Sequence, residues 1–127
     1  MLRRTAMRGL ATLLAATAVA GAAQAADAPD GHDLMLRRLI ADAAQGKLQY
    51  RTMTRDLVAA VRPQATLAQA ELAALGALKS VTFVAIDRSG AELYRTIFER
   101  GALEWAFSVD ANGLIANAQF RPLSAGL

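Results

Sequence analysis

The sequence predicts an α+β fold: two or three N-terminal helices packed on one face of a four-stranded antiparallel meander sheet. Three observations carry this. Up to about Gly76, apolar residues recur at the three-to-four spacing of a helix face. From Lys79 onward the period falls to two, with β-branched and aromatic residues prominent. The glycine dipeptides Ser89-Gly90, Arg100-Gly101 and Asn112-Gly113 then cut this second half into four runs of strand length.

Before these elements stands "MLRRTAMRGLATLLAATAVAGAAQA". Arg3, Arg4 and Arg8 form a basic head, Gly9 to Ala20 is uncharged and apolar, and Ala23-Gln24-Ala25 is a small-x-small cleavage pattern. These are the parts of a secretory signal peptide, expected over residues 1–25. Arg3-Arg4 also permits a twin-arginine route, although Leu2 and Ala6 match that signal poorly. Cleavage after Ala25 leaves residues 26–127 as one domain, ordered from about 31 to 122, in the periplasm or secreted. It takes three arginines out of the 14 basic residues and leaves 11 against 11 acidic ones. The basic balance of the whole chain therefore belongs mostly to the signal, and a basic surface for nucleic acid is not expected. No stable membrane insertion is expected after cleavage.

The first helix is expected over Gly31–Gln45. Asp30 is placed to cap it, Leu36, Leu39, Ile40 and Ala43 form its stripe, and Gly46 can stop it. A second stripe, Met53, Leu57, Val58 and Val61, runs into Pro63, which must end or kink a helix because it lacks an N–H. Thr66 and Gln69 fit a capping box for Thr66–Leu75. The reading is a broken helix, Thr54–Arg62 and Thr66–Leu75, with one kinked helix as the alternative.

The strands are expected at Ser80–Asp87, Ala91–Glu99, Ala102–Val109 and Leu114–Arg121, with Pro122 ending the last and Leu123–Leu127 a loose tail. Arg100-Gly101 as a two-residue turn would set Phe98 against Leu103, Thr96 against Trp105 and Tyr94 against Phe107, all on one face. Leu103, Trp105, Phe107 and Val109 would then share that inner face with Leu114, Ala116, Ala118 and Phe120. Either an Asn112-Gly113 turn or an Asp110–Gly113 loop keeps this parity.

The outer face would carry Leu93, Arg95, Ile97 and Glu104, with Arg95 diagonal to Glu104 and able to pair with it. A half-apolar face holding an ion pair suits a partner surface, for another protein or a second copy of the chain. Trp105, the chain's only tryptophan, is expected in the core. Together with Tyr50 and Tyr94 it could instead line a small-molecule cleft between helices and sheet.

Much chemistry lacks its residues. There is no cysteine, hence no disulfide, thiolate ligand or thiol nucleophile. His32 is the only histidine and reads as a solvated residue at a helix start. No Gly-x-Ser-x-Gly, Ser-x-x-Lys or phosphate loop occurs. Asp110-Ala111-Asn112-Gly113 opens like a calcium loop but lacks its later acidic ligands. No catalytic residue, metal ligand or cofactor is assigned, and the chain reads as more likely a binding protein than an enzyme.

The segments "LRRLIADAAQGKLQYRTM", "LGALKSVTF", "ELYRTIFERGALEWAFSVDANGLI" and "FRP" resemble a small accessory module. That module occurs at the C-terminal end of some secreted β-lactamase-like serine hydrolases and sometimes as a standalone exported protein. The resemblance rests chiefly on Gly76, Phe83, Tyr94, Phe98, Gly101, Glu104-Trp105, Gly113 and Pro122. It implies helices on a curved sheet, akin to the cystatin-like or nuclear-transport-factor-like cone. It implies no established activity, and an exported serine hydrolase as a possible partner. The expectation is an exported non-catalytic accessory module that binds a protein partner or itself; the alternative is a small-molecule-binding or isomerase-like cone protein.

Overall fold

The structure, a computed structural model, describes residues 28–123. The expected signal peptide and the tail beyond Leu123 lie outside the described residues. Helices precede strands throughout: α1 (His32–Ala44), α2 (Arg55–Val61), α3 (Ala65–Leu75), then β1 (Leu78–Ile86), β2 (Glu92–Phe98), β3 (Gly101–Val109) and β4 (Ile115–Pro122). The strands form one antiparallel sheet in the order β1-β2-β3-β4.

Each helix end has a local cause. Gly31, in the left-handed region at φ 81°, precedes α1 with no side-chain cap, so Asp30 does not perform the capping role expected of it. At the other end Gly46 N–H reaches the Ala43 carbonyl and Lys47 N–H the Asp42 carbonyl, the paired closure of a glycine-terminated helix. Thr54 caps α2, its hydroxyl accepting from Leu57 N–H at 3.2 Å. Pro63 then enforces the expected break: a 3-10 turn, Arg62–Gln64, joins α2 to α3. That turn supplies the first helical turn of α3, so Thr66 and Gln69 do not form a capping box and α3 has no side-chain cap.

The α3–β1 junction fixes the middle of the chain. Gly76 sits at φ 81°, ψ −158°, a backbone region open essentially to glycine alone. Here the Glu99-Arg100 turn docks on the end of α3. Arg100 N–H reaches the Leu75 carbonyl, its Nε donates to the Ala74 carbonyl at 2.8 Å, and Ala77 N–H donates to Glu99 Oε1 at 2.9 Å. A cation on the last carbonyls of a helix also complements its dipole.

This docking corrects the expected register. The β2–β3 turn is Glu99-Arg100, not Arg100-Gly101, and Phe98 pairs with Gly101, Thr96 with Leu103, Tyr94 with Trp105 and Glu92 with Phe107. The slip is two residues, so every side chain keeps its predicted face. A Cβ at Gly101 would lie 2.7 Å from Leu75 Cδ2, so any larger residue there would require the Leu75 side chain to shift.

The β1–β2 and β3–β4 connections share one design. In each, an aspartate Oδ1 accepts from the N–H groups two and four residues ahead: Asp87 from Ser89 and Ala91, Asp110 from Asn112 and Leu114. Gly90 and Gly113 take the positive φ each turn needs. The second turn runs from Asp110 to Leu114, longer than either loop considered from sequence. Ala116 is bulged out between Val109–Ile115 and Ser108–Asn117. Ile115, rather than Leu114, is thereby the buried residue at the start of β4. Trp105 stands opposite Phe120 and Phe107 opposite Ala118, the pairing that the Asn112-Gly113 alternative gives.

One core joins helices to sheet. Leu36, Leu39 and Ile40 of α1, Leu57 of α2 and Leu72 of α3 pack with Tyr94, Phe98, Leu103, Trp105, Phe107 and Ile115. No helix among the described residues is long and apolar enough to cross a membrane.

Candidate functional site

Two tethers hang the α2–α3 elbow over one half of the sheet. Met53 bridges Ile115 in parallel, and Thr54 N–H donates to the Ile115 carbonyl at 2.9 Å. Between this elbow and β3–β4 lies a cavity of about 500 Å³, within the size range of small-molecule sites. Leu39, Met53, Leu57, Leu72, Trp105 and Phe120 are its large apolar lining residues. Its size follows from its small ones: Ala43, Ala60, Ala65, Ala68, Ala116 and Ala118 also line it, and side chains this short cannot close the gap between layers. Leu67, at the mouth, is 63% exposed, Asp56, Gln64 and Glu71 supply polar side chains, and Asn117 and Gln119 border the cleft from β4.

Trp105 and Phe120 meet here with ring centroids 4.9 Å apart and planes at 44°. Trp105 is 3% exposed and lies on the inner face, as parity predicts. Its Nε1 is buried and, among the described residues, finds no hydrogen-bond partner. A sealed, unpaired donor costs about 1–3 kcal/mol. The residue thus fills core volume at a polar penalty, and it does so on the wall of this cavity.

The three residues proposed for a cleft do not line one cavity, although Tyr94 and Trp105 are cross-strand neighbours on the inner face. Trp105 lines the cavity under the elbow. Tyr50 lies outside it, half-buried, with the Arg62 guanidinium 4.6 Å above its ring. Tyr94 is fully buried beside Trp105, on the side facing α1, and does not line it.

The α1 side of the inner face holds a polar cluster. Glu92 occupies an inner-face position of β2 and is buried. Its carboxylate accepts from the Tyr94 hydroxyl at 2.8 Å and lies 2.9 Å from His32 Nδ1. The expectation of a solvated His32 is therefore corrected: its side chain is 20% exposed and links α1 to β2. The ring also meets Phe107 edge-on at 6.4 Å. Burial, then the hydrogen bond to Glu92, then the charges of Glu92 and Asp33 push the Tyr94 hydroxyl far above its ordinary value of 10.0. Tyr94 is thus a fixed donor, the opposite of an activated phenolate. A sequence signal for this cluster exists: Glu92 shares parity with Tyr94, Thr96 and Phe98, and a carboxylate on a buried face requires a partner.

On the outer face, Leu93, Arg95, Ile97 and Glu104 do lie together by register. The expected Arg95–Glu104 ion pair is replaced by another. Arg95 stands directly opposite Glu104, but Glu104 Oε1 accepts from Arg121 of β4, at 2.9 Å from Nε and 2.6 Å from Nη2. Register also puts Ser80, Thr82, Asn117 and Gln119 on this face, which is more polar than β2 and β3 alone suggest.

Among the described residues no three histidine, cysteine, aspartate or glutamate side chains gather as a metal site. No family model, curated protein or solved structure matches the chain.

Proposed function

We propose that the chain is an exported binding module, periplasmic or secreted, that captures an apolar small molecule between α2–α3 and β3–β4. The observation that carries this reading is the alanine-walled cavity. A core that could be closed by larger side chains is left open beneath the α2–α3 elbow, with a mostly apolar interior and an exposed Leu67 at its mouth. On this reading the fold is a cone of the cystatin-like or nuclear-transport-factor-like kind, and the site acts by capture rather than by chemistry. The test is titration with the neutral apolar dye N-phenyl-1-naphthylamine. Wild type should enhance its fluorescence saturably, and Ala68→Phe, which fills the cavity, should abolish the signal while keeping the fold. No enhancement, or enhancement that Ala68→Phe leaves intact, overturns the reading.

A second reading keeps the outer face as a docking surface for a protein partner, such as an exported serine hydrolase, or for a second copy. It is supported by exposed Arg95, without an ion pair among the described residues, beside Ile97, 36% exposed. Arg95→Glu with Ile97→Lys should abolish self-association in sedimentation without lowering the melting temperature. Unchanged sedimentation of a dimer, or a monomeric wild type, removes self-association from this reading.

A further inference from the structure

The charges at the cleft narrow the class of ligand, an inference that rests on the cleft being a binding site. Its lining contains two carboxylates, Asp56 of α2 and Glu71 of α3, and no lysine, arginine or histidine. Neither carboxylate takes part in an ion pair among the described residues. Gln64 adds one side-chain amide whose carbonyl oxygen can also accept; Asn117 and Gln119 border the cleft, but register turns their side chains to the outer face, where Gln119 Nε2 donates to Asn117 Oδ1 at 3.1 Å. Basic residues are not scarce nearby. Arg55 and Arg62 flank the same elbow, yet neither lines the cavity, and the Arg62 guanidinium is held over Tyr50. The elbow thus presents its acids to the opening and its bases elsewhere.

We infer that the cleft takes a cationic amphiphile: an apolar body seated against Trp105, Phe120 and Leu72, with an ammonium or guanidinium head group at Asp56 and Glu71. The interior rewards removal of apolar area from water, whatever the head group. The head group is selected at the mouth. Two uncompensated carboxylates attract a cation and repel a fatty-acid carboxylate, and the low-dielectric wall strengthens both effects relative to open water. Both side chains are exposed, so each contributes modestly, and salt weakens the preference. Two such contacts together correspond to roughly a tenfold preference in affinity.

Three probes with the same alkyl chain separate body from head: dodecyltrimethylammonium, dodecyl maltoside and dodecanoate. Each is titrated below its micelle concentration, with Trp105 emission and calorimetry as readouts. Wild type should bind the cationic probe about tenfold more tightly than the neutral one, and the anionic probe most weakly. The variant Asp56→Asn with Glu71→Gln should bind all three alike, with an unchanged circular dichroism spectrum and melting temperature. Equal affinities in wild type, or a cationic preference that survives in the double variant, overturn the head-group inference while leaving the cleft standing. Failure of all three probes to bind overturns the cleft as well.

Discussion

The α1 end and the elbow end of the inner sheet face, which meet between Tyr94 and Trp105, solve the same packing problem differently. Under α1, at the start of β2, large rings and a fully partnered polar cluster fill the space: Phe83, Tyr94 and Phe107 meet edge to face, and His32, Glu92 and Tyr94 satisfy one another. Under the α2–α3 elbow, over β3–β4, six alanines are among the wall residues, a cavity remains, and the Trp105 N–H has no partner among the described residues. One end is closed and complete, the other open and incomplete. An incomplete region in an otherwise finished core is where a ligand can contribute what the chain does not.

The largest effect should come from the rings. Phe107→Ala at the closed end and Trp105→Ala at the open end should each cost about 3–5 kcal/mol in chemical denaturation. The contrast lies in the milder change. Trp105→Phe should cost less than about 1.5 kcal/mol, because it also removes the unpaired N–H. If Trp105→Phe is as damaging as Trp105→Ala, the indole nitrogen has a partner and the open end is complete.

Next comes the polar cluster. Glu92→Leu should cost about 1–3 kcal/mol for each partner stranded, His32 and Tyr94. Converting all three together, His32→Leu, Glu92→Leu and Tyr94→Phe, should recover much of that loss, since nothing polar is then left unpaired. If the triple variant is as unstable as the sum of its parts, the three do not act as a unit.

The same cluster sets an alkaline limit. Tyr94 has a folded pKa raised above the 10.0 of the unfolded chain. Its contribution is fully present below pH 10 and is lost as pH rises through the folded value, because the unfolded chain gives up the proton first. Unfolding midpoints should therefore fall above pH 10 in wild type and fall less steeply in Tyr94→Phe. Parallel decline in both would show that Tyr94 does not set this limit.

The smallest effect should be a gain. Ala68→Leu on the cavity wall should stabilise the free protein by about 0.5–2 kcal/mol. A loss of that size would mean the cavity has no room to fill.

How much of this the sequence reveals depends on the range of the cause. The helix stripes, the break at Pro63 and the inward face of Trp105 depend on local period and backbone chemistry, and all were legible. The β2–β3 register was not, because Gly101 resembles a turn glycine whereas the Glu99-Arg100 turn is held by hydrogen bonds to the end of α3, another element. Ile115 displaced Leu114 because the bulge at Ala116 shifts parity locally. His32 could not be placed by its neighbours, since its partner lies 60 residues away. The cavity was least legible of all. Its alanines come from both layers, and only the docked elbow shows that they face one another.

The most direct test of the central claim is nuclear magnetic resonance of the labelled protein with dodecyltrimethylammonium. The account predicts nuclear Overhauser contacts from the alkyl chain to Trp105, Phe120 and Leu72, with shift changes concentrated on α2, α3, β3 and β4. Contacts confined to Leu93, Arg95 and Ile97 on the outer face, with the cavity residues undisturbed, would contradict it.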